Sequence, residues 1–493
     1  MKRNYNSVTG KTVLLLCLLT LGVTNSCKDD FLDVDPQGQA RGEDFFVTPE
    51  HAIRSVNAIY GNLDEWGQVG FPTLALATIT SDDAEKGSVE GDAGFLNDFD
   101  QFTFTATQFV INDYWTYHYQ GINLANQTIN RVPPIQMDEA LMARLIGEAK
   151  FLRAFHYFNL VRAFGGVPLR TTIPADPNEQ ESPEQVNLPR ASREEVYAQI
   201  EADLNDAIQV LPVRYGAEEV GRATKGAALS LLAKVHMYQQ EWNEVFSLTE
   251  QVMGLGYDLM PDYNAIFRIE NENNIESVFE IQAQALPGNC DASNSQWSEV
   301  RGVRPQFGWG FGIPSEDLEN AFEPGDVRKE ATILYRGEAT PEGDRISETA
   351  ANPRYNQKAY TPNDVTKECG YGRDQNIRVI RFAEVLLMHA EAANELGMPD
   401  VALASLNRVR ERAGLEPVTT TSQEELRNII WHERRVELAL EDDRFFDLVR
   451  QGRAGEVFRA QGKNFVEGKN EVFPIPQRQI DLSGGVLTQN PGY

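Results

Sequence analysis

Residues 382–414 read FAEVLLMHAEAANELGMPDVALASLNRVRERAG. Two helical patterns meet at the polar turn Gly397-Met398-Pro399-Asp400, and Ala390, Ala402 and Val409 fall at offsets of 0, +12 and +19. The same offsets recur in residues 224–254, TKGAALSLLAKVHMYQQEWNEVFSLTEQVMG, at Ala233, Val245 and Val252 around the turn Gln239-Gln240-Glu241. Small residues at these places let two antiparallel helices approach closely, so each stretch predicts a helix–turn–helix unit that must stack on neighbours to bury its apolar faces. A third copy is broken, with Ala154 and Tyr157 on one helix and Ile200, Ala207 and Pro212 on the next. The expected fold is mainly α, built of tetratricopeptide-like helix pairs in an α-α superhelix.

Working outward, further helices announce themselves by their ends. Thr48-Pro49-Glu50 offers a cap, a proline in the first turn and a carboxylate at the positive helix end. A helix is expected over 108–131, stopped by Pro133-Pro134, and another over 147–164, with Phe151, Phe155 and Phe158 on one face and Gly165-Gly166 at its end. Ser192-Arg193-Glu194-Glu195 carries a capping box. From Thr421 a last helix pair is expected to run to about Phe458. Two stretches lack helical period. Residues 61–106 are rich in Gly, Asp and aromatics and read as long loops with short strands, and residues 255–379 read the same way. Irregular segments of that length in a folded chain are usually functional.

The amino terminus predicts export. Lys2, Arg3 and Lys11 precede an apolar run from Val13 to Val23, then Ser26 and Cys27. This is the layout of a secretory signal over 1–26, too short to span a bilayer, with Cys27 placed for acylation as a lipid anchor. The formal charge is −28, and removing three basic residues with the signal leaves −31. Such a chain is a poor partner for nucleic acid or an anionic membrane surface. Cys17 leaves with the signal; Cys290 and Cys369 are a candidate disulfide pair, which spacing alone does not decide.

Several short motifs resemble one family in their order along the chain. Cys27-Lys28-Asp29-Asp30 is similar to the export signal of Bacteroidetes surface lipoproteins. Asn57-Ala58-Ile59-Tyr60, Ser81-Asp82-Asp83 and Glu148–Ala154 resemble the amino-terminal half of SusD/RagB proteins. Arg381–Met388, Glu433–Leu438, Arg444–Arg450, Phe473-Pro474-Ile475-Pro476 and Thr488–Tyr493 resemble the carboxy-terminal half. The resemblance implies a signal peptide over 1–26, a SusD-like amino-terminal region over 27–235 and a carboxy-terminal region over 236–493, in one compact unit. It implies an outer-membrane lipoprotein, facing the cell exterior, that binds an oligosaccharide and hands it to a SusC-like TonB-dependent transporter without catalysing a reaction. The alternatives are a RagB-like peptide receptor and a tetratricopeptide scaffold with no ligand of its own.

The residues agree on the absence of chemistry. His432-Glu433 is followed by Arg434-Arg435-Val436, so there is no HExxH helix, and neither a P-loop nor a GxSxG elbow occurs. His156 reads as a core histidine. No cofactor is expected, although the acidic loops leave room for structural calcium. A sugar site needs aromatic faces to stack on pyranose rings and polar groups for the hydroxyls. The two excursions supply candidates in Trp66, Asp82, Asp83, Phe95, Asn97, Gln296, Trp297 and Arg301. Trp309, set in Gly308-Trp309-Gly310-Phe311-Gly312, reads as loop packing, and Trp115, Trp242 and Trp431 as core. The charge run Glu433–Arg450 reads as fold-determining, with Arg434/Glu437 and Glu441/Arg444 pairing on a helix surface for a few tenths of a kcal/mol each, on the order expected of exposed pairs.

Overall fold

The computed structural model describes residues 45–173, 187–284, 296–362 and 374–493. The signal, Cys27 and the pair Cys290 and Cys369 lie outside the described residues. Every element below belongs to one compact unit, Phe46–Ala175 with Glu179–Tyr493.

Eight helices form the frame: α1 (Pro49–Leu63), α2 (Phe109–Arg131), α3 (Glu139–Phe164), α4 (Arg193–Val210), α5 (Lys225–Gln239), α6 (Trp242–Met253), α7 (Phe382–Glu395) and α8 (Pro399–Arg412). Each packs against the next in chain order. The stack therefore continues from α6 to α7 although about a quarter of the chain lies between them. The repeat positions explain the close packing. Ala233, Val245, Val252, Ala390, Ala402 and Val409 are all fully buried, as are Ala154, Tyr157, Ile200 and Ala207 of the interrupted copy. Caps fall where the sequence places them. Thr48 accepts from the His51 amide, and both bonds of the Ser192/Glu195 capping box are present. Helix α3 starts earlier than its aromatic stripe suggests, at Glu139, capped by Asp138, whose carboxylate accepts from the Leu141 amide; Ala, Leu, Met and Arg carry the helix through the added turns. His156 is a core histidine, its Nδ1 3.1 Å from Nδ1 of His118.

The first excursion departs from its sequence reading. Instead of loops with short strands, it contains helical turns at Trp66–Val69 and Phe71–Thr73, a π-helical turn at Leu74–Ile79, and only one strand, β1 (Ala84–Gly87). Leu74–Ile79 is buried all round, so it has no polar face and shows no amphipathic period. The second excursion holds β2 (Ser277–Ile281), β3 (Phe311–Pro314), β4 (Ile333–Tyr335), β5 (Arg354–Asn356) and β6 (Ile377–Arg381). The antiparallel pairs are β1–β3, β2–β6 and β4–β5. Ribbon β1–β3 joins the two excursions in the register Ala84↔Pro314 and Gly87↔Phe311. Gly87 has φ +69°, and a Cβ there would lie 2.5 Å from the Gly310 carbonyl oxygen, so only glycine fits.

The expected last helix pair is three shorter helices, α9 (Gln423–Glu437), α10 (Arg444–Arg450) and α11 (Ala454–Ala460). Their charges correct the surface-pair reading. Arg434 does not pair with Glu437; it reaches Glu384 and Asp447, all of them buried. Glu437 takes Arg381 at 2.8 Å, Arg412 at 2.6 Å and Arg328 at 3.1 Å. Glu441 binds Lys358 and Arg381, and Arg444 forms a bidentate pair with Asp82 at 2.7 Å. Arg450 holds Glu391 and Asp447. The turn between α9 and α10 carries Leu440 at φ +63° and Asp442 at φ +68°. A left-handed leucine costs about 1–3 kcal/mol, which the surrounding ion pairs must offset.

Burial pulls the Glu437 carboxyl upward, but Arg412, Arg381 and Arg328 outweigh it and hold it far below its usual range. Asp443 is held down in the same way, against burial, by Lys234, Arg162 and Arg434. Since the folded values lie below the unfolded ones, the stability these groups contribute is present above about pH 4 and is lost as pH falls further. We predict that Glu437→Gln, which leaves three guanidinium groups facing a neutral amide, lowers the unfolding free energy by about 3–5 kcal/mol. Urea titration at pH 7 checks this; a midpoint equal to wild type would show that the carboxylate is not needed there.

Candidate functional site

Five aromatic rings of the two excursions and one at the start of α2 form a continuous ridge. Trp66 opens the turn Trp66–Val69, Phe71 opens the next turn, Phe95 precedes the helix Leu96–Asp100, Phe109 begins α2, and Trp309 and Phe311 flank the entry to β3. Ring centroids are 5.9 Å apart for Trp66–Trp309, 5.1 Å for Trp66–Phe71, 5.9 Å for Phe71–Trp309, 5.0 Å for Phe71–Phe311, 5.9 Å for Phe71–Phe95 and 4.9 Å for Phe95–Phe109. Most are edge-to-face contacts, each worth about 0.5–1.5 kcal/mol beyond area burial. Phe311 is buried and anchors the row, Trp66, Phe71, Phe95 and Trp309 are half-buried, and Phe109 is 49% exposed. The rings hold one another in place, so their outer faces are ordered before any ligand arrives.

Polar groups rim the ridge. Lys86 Nζ lies 5.7 Å from the Phe311 centroid and donates to the carbonyls of Val89 and Asp92. Half-exposed Arg304 pairs with Asp92 and donates to Ser88 Oγ at 2.8 Å. Asn97 is exposed on the short helix beneath Phe95. Beyond Trp66 opens a cleft of about 540 Å³, walled by Trp66, Asp64, Glu65, Arg222, Gln282 and Gln296 among others.

Of the residues the sequence singled out, Trp66 and Phe95 belong to the ridge, with Asn97 and Gln296 on its flanks. The other four are corrected by their burial. Asp82 and Asp83 are at most 2% exposed, because in a low-dielectric interior carboxylates pair with guanidinium: Asp82 with Arg444 and Arg435, Asp83 with Arg435. Burial pulls Asp82 upward, yet Arg444 leads the groups that hold it at about 2. Trp297 is 6% exposed; it donates through Nε1 to Asp442 at 2.9 Å and carries the Arg301 guanidinium 4.8 Å from its ring centre. Arg301 is fully buried and pairs with Asp442 at 2.9 Å. These four brace the floor of the two excursions.

Trp309, like Phe71 and Phe109, is a ridge residue that the sequence reading passed over. Its Gly-rich surroundings suggest packing alone, but Gly310 at φ +76° and Gly312 at φ +62° turn the chain on either side of Phe311 in the row. The signal that could have found it is the alternation of aromatic and glycine, which lets rings stand beside close backbone approaches.

Set beside known proteins, this arrangement falls into place. Residues 254–493 match the model of the SusD family, and residues 30–237 match a second model described as starch-binding associating with outer membrane. The chain belongs to the SusD family, a family of non-catalytic glycan-binding proteins. Among its relatives, SusD-like protein P2 of Formosa agariphila is 28% identical over 519 residues, covering 98% of this chain and 99% of the relative. A laminarin-binding SusD-like protein of solved structure is 32% identical with a TM-score of 0.79, covering 91% of this chain and all of that one. Surface glycan-binding protein A from Bacteroides thetaiotaomicron superposes with a TM-score of 0.76 at 25% identity, over 91% of this chain. The tetratricopeptide-like helical fold expected from the repeats is that of these structures. No helix among the described residues is long and apolar enough to cross a membrane.

Asp64, in the cleft wall, is nine-tenths buried with neither carboxylate oxygen bonded to protein. Burial, with Glu65 adding to it, raises its pKa to about 8. The folded state then keeps a proton that the unfolded chain releases near pH 4, so this group's contribution falls as pH rises from about 4 to 8. Asp64→Asn should remove that slope and raise the melting temperature at pH 8 by about 2 °C or more. Melting curves at pH 5 and pH 8 check it; an unchanged pH slope would mean that Asp64 titrates normally.

Proposed function

We propose that this protein is a lipid-anchored cell-surface receptor that captures an oligosaccharide on the ridge Trp66–Trp309–Phe71–Phe95–Phe109 and delivers it to a SusC-like TonB-dependent outer-membrane transporter. The observation that carries the reading is the ridge itself, a row of ordered, half-exposed rings rimmed by Lys86, Asp92, Asn97 and Arg304. Pyranose faces stack on such rings, and hydroxyls bond to the rim. The laminarin-binding relative, alike over the whole of its length, supports a β-glucan as the ligand class. Cys27, behind a signal-like apolar run, supports the lipid anchor, and the second family model supports the outer membrane as the place. Nothing reacts: binding is by stacking and hydrogen bonds.

Calorimetry against laminarin, starch and a peptide pool tests the reading. Trp66→Ala and Phe109→Ala should each weaken glucan binding about five- to tenfold or more, the loss of roughly one stacked ring. Phe109→Ala should barely move the melting temperature, because that ring is half exposed. Binding of peptide with no response to any glycan would overturn the proposal. Cys27→Ala should shift the protein from the membrane fraction to the soluble fraction; retention in the membrane fraction would refute the anchor.

A further inference from the structure

Away from the aromatic ridge, the junction of α4, α5 and α6 brings three metal-binding side chains together. Glu201 lies on α4, His236 on the last turn of α5, and Glu241 caps the start of α6; one donor atom from each lies within 4.8 Å of the others. The turn fixes this convergence. Gln240 takes φ +59°, and the Glu241 amide donates back to the His236 carbonyl at 3.0 Å, folding Glu241 over the imidazole. His236 is 8% exposed and its Nδ1 lies 2.5 Å from a Glu241 oxygen.

The charge balance here differs from that around Glu437 and Asp443. Around Glu437 and Asp443 each gathered carboxylate meets arginine or lysine. At this junction two carboxylates converge without either. Among the described residues Glu201 is in no ion pair, its carboxylate receiving only the Gln239 side-chain amide at 2.7 Å, and Glu241 pairs with His236 alone. Two like charges and an imidazole lone pair in one spot are what a dication neutralises.

We propose that Glu201, His236 and Glu241 bind a zinc-class divalent ion that ties α4, α5 and α6 together. One imidazole and two carboxylates form a three-ligand set with a fourth position for water, and the imidazole favours zinc, cobalt or nickel over calcium and magnesium. Helix spacing hides the site, since its ligands come from three elements. None of the residues of the glycan reading takes part, so the two proposals stand or fall separately.

The test uses the full chain, dialysed against chelator and titrated with zinc chloride by calorimetry, with a parallel melting series. One equivalent should bind and raise the melting temperature by about 2 °C or more at saturation. Cobalt should give the visible absorption of a four-coordinate ion. His236→Gln and the double variant Glu201→Gln/Glu241→Gln should both lose the bound equivalent while keeping their helical circular dichroism. The half-buried Glu201→Gln alone, which leaves the α5–α6 turn intact, should weaken zinc at least tenfold. Absence of zinc binding in the wild type, or an equivalent retained by the His236 and double variants, would overturn the site.

Discussion

The carboxylate of Glu437 is the point on which the two halves of the architecture depend. It meets Arg328 from the second excursion, Arg381 from the end of β6 and Arg412 from the end of α8. Arg381 in turn reaches Glu276 and Glu441, and Arg412 reaches Glu276. A stack of helix pairs supplies apolar contact between neighbours, but nothing in that contact fixes where long irregular segments lie. Directed, bidentate guanidinium–carboxylate pairs do fix it, because each misplaced strand would leave a charge buried without a partner at a cost of several kcal/mol.

The proposed ligand face follows from the same constraint. Asp82 and Asp83 carry the first excursion to Arg444 and Arg435, while Asp442 takes Arg301 and Trp297 of the second. Both excursions are thus fastened to one short segment, residues 433–450, and ribbon β1–β3 then locks them to each other. Trp66, Phe71 and Phe95 from one excursion and Trp309 and Phe311 from the other can form one row only because their backbones share that anchor. A receptor that binds by stacking gains from such a floor, since rings already ordered lose little entropy when a sugar arrives.

Burying so many arginines also shapes the surface. Arg301, Arg328, Arg381 and Arg434 are among the largest fully buried side chains, and each is matched by buried or half-buried acids. These four arginines are spent inside, whereas the exposed carboxylates Asp317, Glu348 and Glu467 pair with arginine at the surface. The net charge of −28 disfavours an anionic ligand.

The amino-acid sequence by itself determined the helical frame. Offsets of 0, +12 and +19 at Ala233, Val245, Val252 and at Ala390, Ala402, Val409 are local, because close helix packing demands small residues at a fixed spacing. The caps at Thr48 and Ser192 are equally local. Trp66 and Phe95 stood out because aromatics in a glycine- and acid-rich stretch without helical period suggest exposure, although the fold sets them at short helical turns. Tertiary structure alone decided the rest. Whether Asp82 or Trp297 faces water depends on Arg444 and Asp442, more than a hundred residues away, and no spacing rule reports such a partner. The Glu433–Arg450 run reads as a solvated helix surface when only i,i+3 and i,i+4 neighbours are considered; the fold brings Arg328, Arg381 and Arg412 against it and makes it the interior. Burial is a property of what packs on a segment, and a segment does not carry that information alone.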